Sequence, residues 1–334
     1  MGILRLPALA VVCGLAIHSQ TSIEVGQGAP SEATRQRFVS AYFRNGFSNL
    51  VSSPPVSEVR RFGTTGLIQE FQEAGGAQRK LALVKSNTST ASDGANDVFQ
   101  VKAPMYSYYN GVGVGTAGYP TNDTTGCGVV TGANCFYQLF DKSYVLMVYD
   151  KAVAGGDSFT IRDPFYTRWT SLGGLSGLGP AVAAETSVTS SISNIAATTQ
   201  AFAGGAIFNI TSGVLEGRLI TVQRPVWDLY SQSNAQAGFL GLPSGEEVTL
   251  ASGRKRQSFE GGAIEYAAGS SPSIRLPVFS VSLGLPANSL RMNLNETRSL
   301  EAKAFSVTGA ELTDRIVIWS TSNGRIVTVQ ADGS

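Results

Sequence analysis

With 334 residues, 43% of them hydrophobic and 15% charged, the chain is long enough for two domains or a repeat array and too apolar to be disordered. Lys+Arg 25 against Asp+Glu 24 leaves a net charge of +1 with no long basic run, which argues against a nucleic-acid partner held by phosphate neutralisation. The single histidine, His18, sits beside an N-terminal apolar run; once that run is cleaved, Ser–His–Asp hydrolysis, Cys–His proteolysis and His-ligated metal sites are excluded.

Residues 1–20 (MGILRLPALAVVCGLAIHSQ) carry one basic residue and then a short apolar run, the pattern of a secretory signal peptide. The bulky Val12 argues against lipid attachment at Cys13. No later stretch is long and apolar enough for a membrane helix, so no integral membrane segment is expected after the signal. The two remaining cysteines, Cys127 and Cys135, flank a Gly-rich loop and read as one local disulfide of a secreted or cell-surface protein.

From 31 to 50 the chain reads as a helix, with Phe38 and Tyr42 on one face and Pro54-Pro55 after it. Self-comparison then finds three recurring elements. A proline, an apolar residue and two aromatics three apart recur as PMYSYY from Pro104, PFYTRW from Pro164 and PVWDLY from Pro225, at spacings of 60 and 61 residues. Proline presets the first turn of a helix, and Asp163 is a suitable cap ahead of Pro164. A turn follows each: GTAGYP ending at Pro120, SGLGP at Pro180, GFLGLP at Pro243. Then QSFEGGAIEY at 257–266 repeats QAFAGGAIFN at 200–209, with weaker copies from Gln69 and Gln138; each reads as a β-hairpin. The expected fold class is therefore α+β: an array of short helix–turn–β-hairpin repeats over 28–276, with hairpins near 65–101, 136–161, 200–222 and 257–276. The Ser/Thr/Ala/Asn-rich segments 87–97 and 186–199 read as surface loops.

These motifs resemble the LGFP repeat, whose name motif stands here as Leu240-Gly241-Leu242-Pro243 and, more loosely, as Ala117-Gly118-Tyr119-Pro120. The copy at Leu178-Gly179-Pro180 is one residue short, and the Phe140 copy lacks the glycine pair. The resemblance implies a non-catalytic module of exported proteins that associates with the cell wall or envelope. Over 277–334 the composition changes to short alternating strands. Ile318-Trp319-Ser320-Thr321-Ser322-Asn323 followed by IVTVQADG resembles the bacterial immunoglobulin-like domain, group 2. Its 58 residues fall short of the about 80 to 100 that a closed sandwich takes, so an incomplete all-β immunoglobulin-like segment is expected.

Candidate ligand-contacting aromatics are Tyr106, Tyr109, Tyr166, Trp169, Trp227 and Tyr230, which can stack on sugar rings, although aromatics at helical spacing more often form core. Glu185, Glu246 and Glu247 are the acids nearest the turns, and Arg254-Lys255-Arg256 is a short basic run suited to an acidic polymer or to a solvated strand edge. The glycine run 111–118 lacks the Lys-Ser/Thr of a phosphate loop. No catalytic residue, metal or cofactor is expected. The reading that results is an exported, non-catalytic repeat protein binding envelope or cell-wall polysaccharide or peptidoglycan. The alternatives are a surface adhesin or scaffold displaying immunoglobulin-like domains, and a glycoside hydrolase working through carboxylates alone.

Overall fold

The structure, a computed structural model, describes residues 32–44, 55–72, 80–85, 97–153, 155–284, 291–306, 309–313, 315, 317 and 319–321. The expected signal peptide at 1–20, most of the 87–97 loop and the final IVTVQADG stretch lie outside the described residues.

Strand formation dominates. Among the described residues, four four-stranded antiparallel sheets follow one another, each with its strands in chain order, and a two-stranded ribbon follows them. Sheet 1 contains β1 (Arg60–Phe62), β2 (Gly66–Gln72), β3 (Lys80–Lys85) and β4 (Val98–Val101). Sheet 2 contains β5 (Thr125–Val130), β6 (Ala133–Phe140), β7 (Tyr144–Val153) and β8 (Gly156–Ile161). Sheet 3 contains β9 (Thr186–Thr189), β10 (Ala196–Phe202), β11 (Gly205–Ile210) and β12 (Leu219–Gln223). Sheet 4 contains β13 (Val248–Thr249), β14 (Lys255–Phe259), β15 (Gly262–Tyr266) and β16 (Ser273–Arg275). Helices are few and mostly short: α1 (Glu32–Arg44), α2 (Met105–Val112), α3 (Val114–Ala117), α4 (Phe165–Ser171) and α5 (Val226–Gln232).

The expected α+β array of helix–turn–hairpin repeats is thus corrected to a mostly β chain. Each expected hairpin is part of a larger meander whose first strand carries no apolar alternation. The opening strands β1, β5, β9 and β13 are edge strands with largely exposed side chains, so nothing in their composition has to alternate. For that reason 186–199 looked like a loop, whereas it contains β9 and the start of β10. The helices other than α1 span only one to two turns and depend on the sheets they pack on.

Contacts divide the chain into two compact units, Met1–Ser187 with Ala197–Gln223, and Val188–Ala196 with Arg224–Ser334. In the first unit, Phe38 and Ala41 of α1 pack on one face of sheet 1, against Leu67, Phe71, Leu83 and Val98. The other face, Ile68, Val84 and Val101, receives Met105, Tyr106 and Tyr109 of α2, which also meets Phe140 and Leu146 of sheet 2. The second face of sheet 2 carries Val145, Met147 and Ile161; it receives Phe165 and Trp169 of α4, together with Phe202 and Ile207 of sheet 3. Lys85 is fully buried within this unit, where Asp97 supplies its counter-charge at 2.5 Å and also takes Arg37.

The recurring sequence elements do recurring mechanical work. Pro120 bridges Phe140, Ala181 bridges Phe202 and Pro243 bridges Phe259, and Val56 N–H donates to the Glu70 carbonyl in the corresponding place on sheet 1. The glutamine two residues before each bridged phenylalanine is buried, and its amide nitrogen holds the incoming loop. Gln200 Nε2 donates to the Ala183 carbonyl at 3.2 Å and to Thr160 of the preceding sheet at 2.7 Å. Gln138 reaches Asn122 and, at 3.2 Å, Gln100 in the same way, and Gln257 reaches Gly245. An apolar residue in its place would leave these loop carbonyls without their donor, which is costly where they are buried.

Cys127 and Cys135 are disulfide-bonded across β5 and β6, with Cα atoms 5.0 Å apart. Closing so short a loop restricts the unfolded chain modestly, so replacing Cys127 by serine should lower stability by about 2–3 kcal/mol. Urea unfolding of that variant beside the parent, with and without reductant, checks this; reductant should move the parent alone.

The described part of 277–334 is a ribbon of β17 (Ser280–Leu283) and β18 (Ala302–Phe305), with Val281 opposite Ala304 and Leu283 opposite Ala302. Trp319 lies outside any strand. Among the described residues this ribbon is the β structure of the expected incomplete immunoglobulin-like segment, whose IVTVQADG strand lies outside them.

Candidate functional site

The six candidate aromatics are distributed over α2, α4 and α5, and the structure gives most of them internal tasks. Tyr109 and Tyr230 are fully buried and donate their hydroxyls, each at 2.7 Å, to the carbonyls of Gly118 and Gly241. Trp169, also buried, donates Nε1–H to the Gly179 carbonyl at 2.8 Å. These three glycines have positive φ, and a Cβ on Gly118 or Gly241 would lie 1.8 Å or 2.2 Å from a carboxylate oxygen of Asp141 or Glu260. Helix aromatic and turn glycine therefore form one lock, repeated three times. Tyr106 is buried and donates to Glu70 at 2.6 Å. Tyr166 is half-buried beside the α4 core, and half-buried Trp227 stands 6.0 Å from the Tyr230 ring.

Burial also sets how these phenols ionise. It holds Tyr109 and Tyr230 well above the ordinary phenol range and pushes Tyr149 up to about 12. The unfolded chain gives up such protons near about pH 10 while the folded chain keeps them. The stability these groups contribute is whole below that pH and is lost as pH rises through the folded values. Stability in urea should accordingly hold steady up to about pH 9 and fall above about pH 10. Phenolate absorbance should rise together with the loss of folded circular dichroism.

Among the acids, Glu185 faces Arg162 at 3.5 Å. Glu247 accepts from Lys255 Nζ at 2.7 Å and from the Tyr266 hydroxyl at 2.8 Å. Among the described residues no group of three or more His, Cys, Asp and Glu is placed to hold a metal ion, and no helix is long and apolar enough to cross a membrane.

The feature with the chemistry of a binding site lies on sheet 4. In antiparallel strands, directly opposed residues share a face. On one face of sheet 1 the opposed row is Ile68–Val84–Phe99; on sheet 2 it is Tyr137–Met147–Phe159; on sheet 3 it is Thr199–Phe208–Ile220. On sheet 4 the row in the same register from the bridged phenylalanine is Arg256–Glu265–Ser273. The neighbouring row changes likewise: Val101, Ile161 and Val222 end it on the first three sheets, and Arg275 on the fourth. An apolar, buried face is replaced by a charged, open one.

That face borders a cleft of about 680 Å³ whose lining includes Arg254, Arg256, Glu265, Arg275 and Arg315 and the apolar residues Phe259, Leu276, Pro277 and Val278. Glu265 is the hub. Its carboxylate meets Arg256 at 3.4 Å and Arg254 and Arg275 at 3.7 Å each. Arg315 donates to the Leu276 carbonyl. The other acid in the lining, Glu260, accepts from Leu242 N–H at 2.8 Å, from Ser193 Oγ at 2.5 Å and from Ser190. Four guanidiniums against two carboxylates leave the cleft net positive.

No family model matches this chain, and no curated protein matches it. The likeness to LGFP repeats accordingly stands on the motif residues themselves. Of the two readings of 254–256, an acidic-polymer contact or a solvated strand edge, neither included Glu265 and Arg275. The signal was present in the aligned copies, where Phe208 of one becomes Glu265 of the other immediately after the matching QxFxGGAI segment.

Proposed function

We propose that this is an exported, non-catalytic module that binds a polymer of the cell envelope. The observation that carries the reading is the open cleft on sheet 4, a polar surface built where the earlier sheets carry apolar faces. A cleft on a sheet face is suited to a chain lying across it, and a hub of ion pairs holds its shape without a mobile lid. The LGFP-type motifs support an envelope setting, and the disulfide is compatible with an oxidising compartment. With most of the helix aromatics enclosed, ligand contact falls to charged and polar groups rather than to stacked rings.

Sedimentation with purified bacterial cell walls tests the reading. The protein should partition into the wall pellet at micromolar concentration, and an unrelated immunoglobulin-like domain should stay in the supernatant. Equal recovery of both in the supernatant would overturn it.

A further inference from the structure

We propose that the sheet 4 cleft is an oxyanion site that takes the carboxylate or phosphate groups of an acidic envelope polysaccharide, through Arg254, Arg256 and Arg275. The proposal rests on the reading above and names the chemistry of the polymer.

Position is the first argument. On sheets 1 and 2 the corresponding face is the seat of the helix that follows the sheet: α2 begins at Met105, just beyond Val101, and α4 at Phe165, just beyond Ile161. After β16 the chain runs through residues 276–279 into β17 at Ser280, and among the described residues no helix follows to take that seat. Solubility alone would be met by any polar residues there. Three arginines gathered on one carboxylate are a more specific solution.

Geometry is the second. The three guanidiniums approach Glu265 at 3.4–3.7 Å, looser than a bidentate fork, which closes at about 2.8 Å. Glu265 is 14% exposed, while the arginine side chains are 33–43% exposed. The anion that gathers them thus lies deeper than the donors, and the donors border the open cleft. Glu265 is a positioning residue: it sets the spacing of the array without neutralising it. A second oxyanion arriving from solvent offsets part of the surplus positive charge and gains charge-assisted hydrogen bonds.

The border is the third. Leu276, Pro277 and Val278 add apolar surface to the cleft lining, which suits the C–H face of a pyranose whose acid group meets the arginines. Carboxylate and phosphodiester polymers share the oxyanion, and the assay separates them.

Binding is measured by calorimetry against polygalacturonate, poly(glycerol phosphate) and neutral dextran. At least one of the two polyanions should bind and dextran should not, and the affinity should fall severalfold between about 50 and 200 mM salt. The Arg254→Gln/Arg256→Gln double variant should bind at least about tenfold more weakly, the expected loss of two charge-assisted contacts. Arg224→Gln, which removes an exposed arginine paired with Asp228, should match the parent. Thermal unfolding confirms that each variant is folded; should the double variant not fold, Arg275→Gln takes its place. No binding to either polyanion, or an unchanged affinity in the cleft variant, overturns the proposal, as does an equal loss in Arg224→Gln. Wall retention that survives the cleft variant removes this proposal and leaves the envelope reading intact. Polyanion binding without wall retention does the reverse.

Discussion

Trp169→Ala is expected to lower the free energy of unfolding by about 3–5 kcal/mol, read as a shifted midpoint in urea. The indole is 3% exposed and sits in one core cluster with Phe165, Met147, Leu178 and Phe202, so truncation opens a cavity bordered by two sheets of the same unit. It also strips the Gly179 carbonyl of its donor. The neighbourhood cannot easily collapse, because Gly174 already approaches the ring closely enough that an added Cβ would lie 3.3 Å from it. Trp169→Phe keeps most of the apolar contact and loses the N–H, for a cost of about 1 kcal/mol beyond the smaller ring. The pair of variants separates two roles. A glycan platform predicts weakened wall binding at nearly unchanged stability, and a core lock predicts the opposite. The burial and the hydrogen bond argue for the lock, so Trp169→Phe should retain the parent's partition into cell walls.

What could be read from the amino acids alone follows the same physical division. The glutamine, the bridged phenylalanine, the turn glycine and the helix aromatic were visible because each position tolerates few side chains. A buried amide must reach specific carbonyls, and at Gly118 and Gly241 positive φ is joined by a carboxylate that an added Cβ would strike. The opening strand of each sheet was not visible. With one neighbour and an exposed surface, β5 and β9 satisfy their backbone with almost any small or polar residues, so TGCGVV and TSVT carry no pattern. Missing those strands turned four-stranded meanders into hairpins and gave the short helices too much weight. At the candidate site the difficulty was different. Arg254 and Arg256 were noticed, but their meaning depends on Glu265 and Arg275, which are neighbours only across the ladder. Knowing which face of sheet 4 corresponds to the helix seat of sheets 1 and 2 requires the register.

That correspondence leads to the second large effect. Arg256→Thr/Glu265→Phe/Arg275→Val transplants the sheet 3 residues Thr199, Phe208 and Val222 onto sheet 4. On sheet 3 Phe208 and Val222 are fully buried. On sheet 4 the chain continues from β16 straight to β17, and the described residues provide no helix to cover the graft. An exposed aromatic and aliphatic patch beside Leu276 and Val278 should then drive self-association. In sedimentation velocity the variant's weight-average coefficient should climb with concentration over the micromolar range, more steeply than the parent's. The variant should also bind polyanions far more weakly, since its changes remove two of the three arginines together with their hub and leave only Arg254 of the array. If it instead sediments as the parent does at every concentration, the charged face is not what keeps this sheet from pairing, and the arginines must be explained by their ligand alone. If it associates, the same residues do two jobs: they close the series of sheet faces against further packing, and the surplus charge that closes it is what an acidic polymer can use.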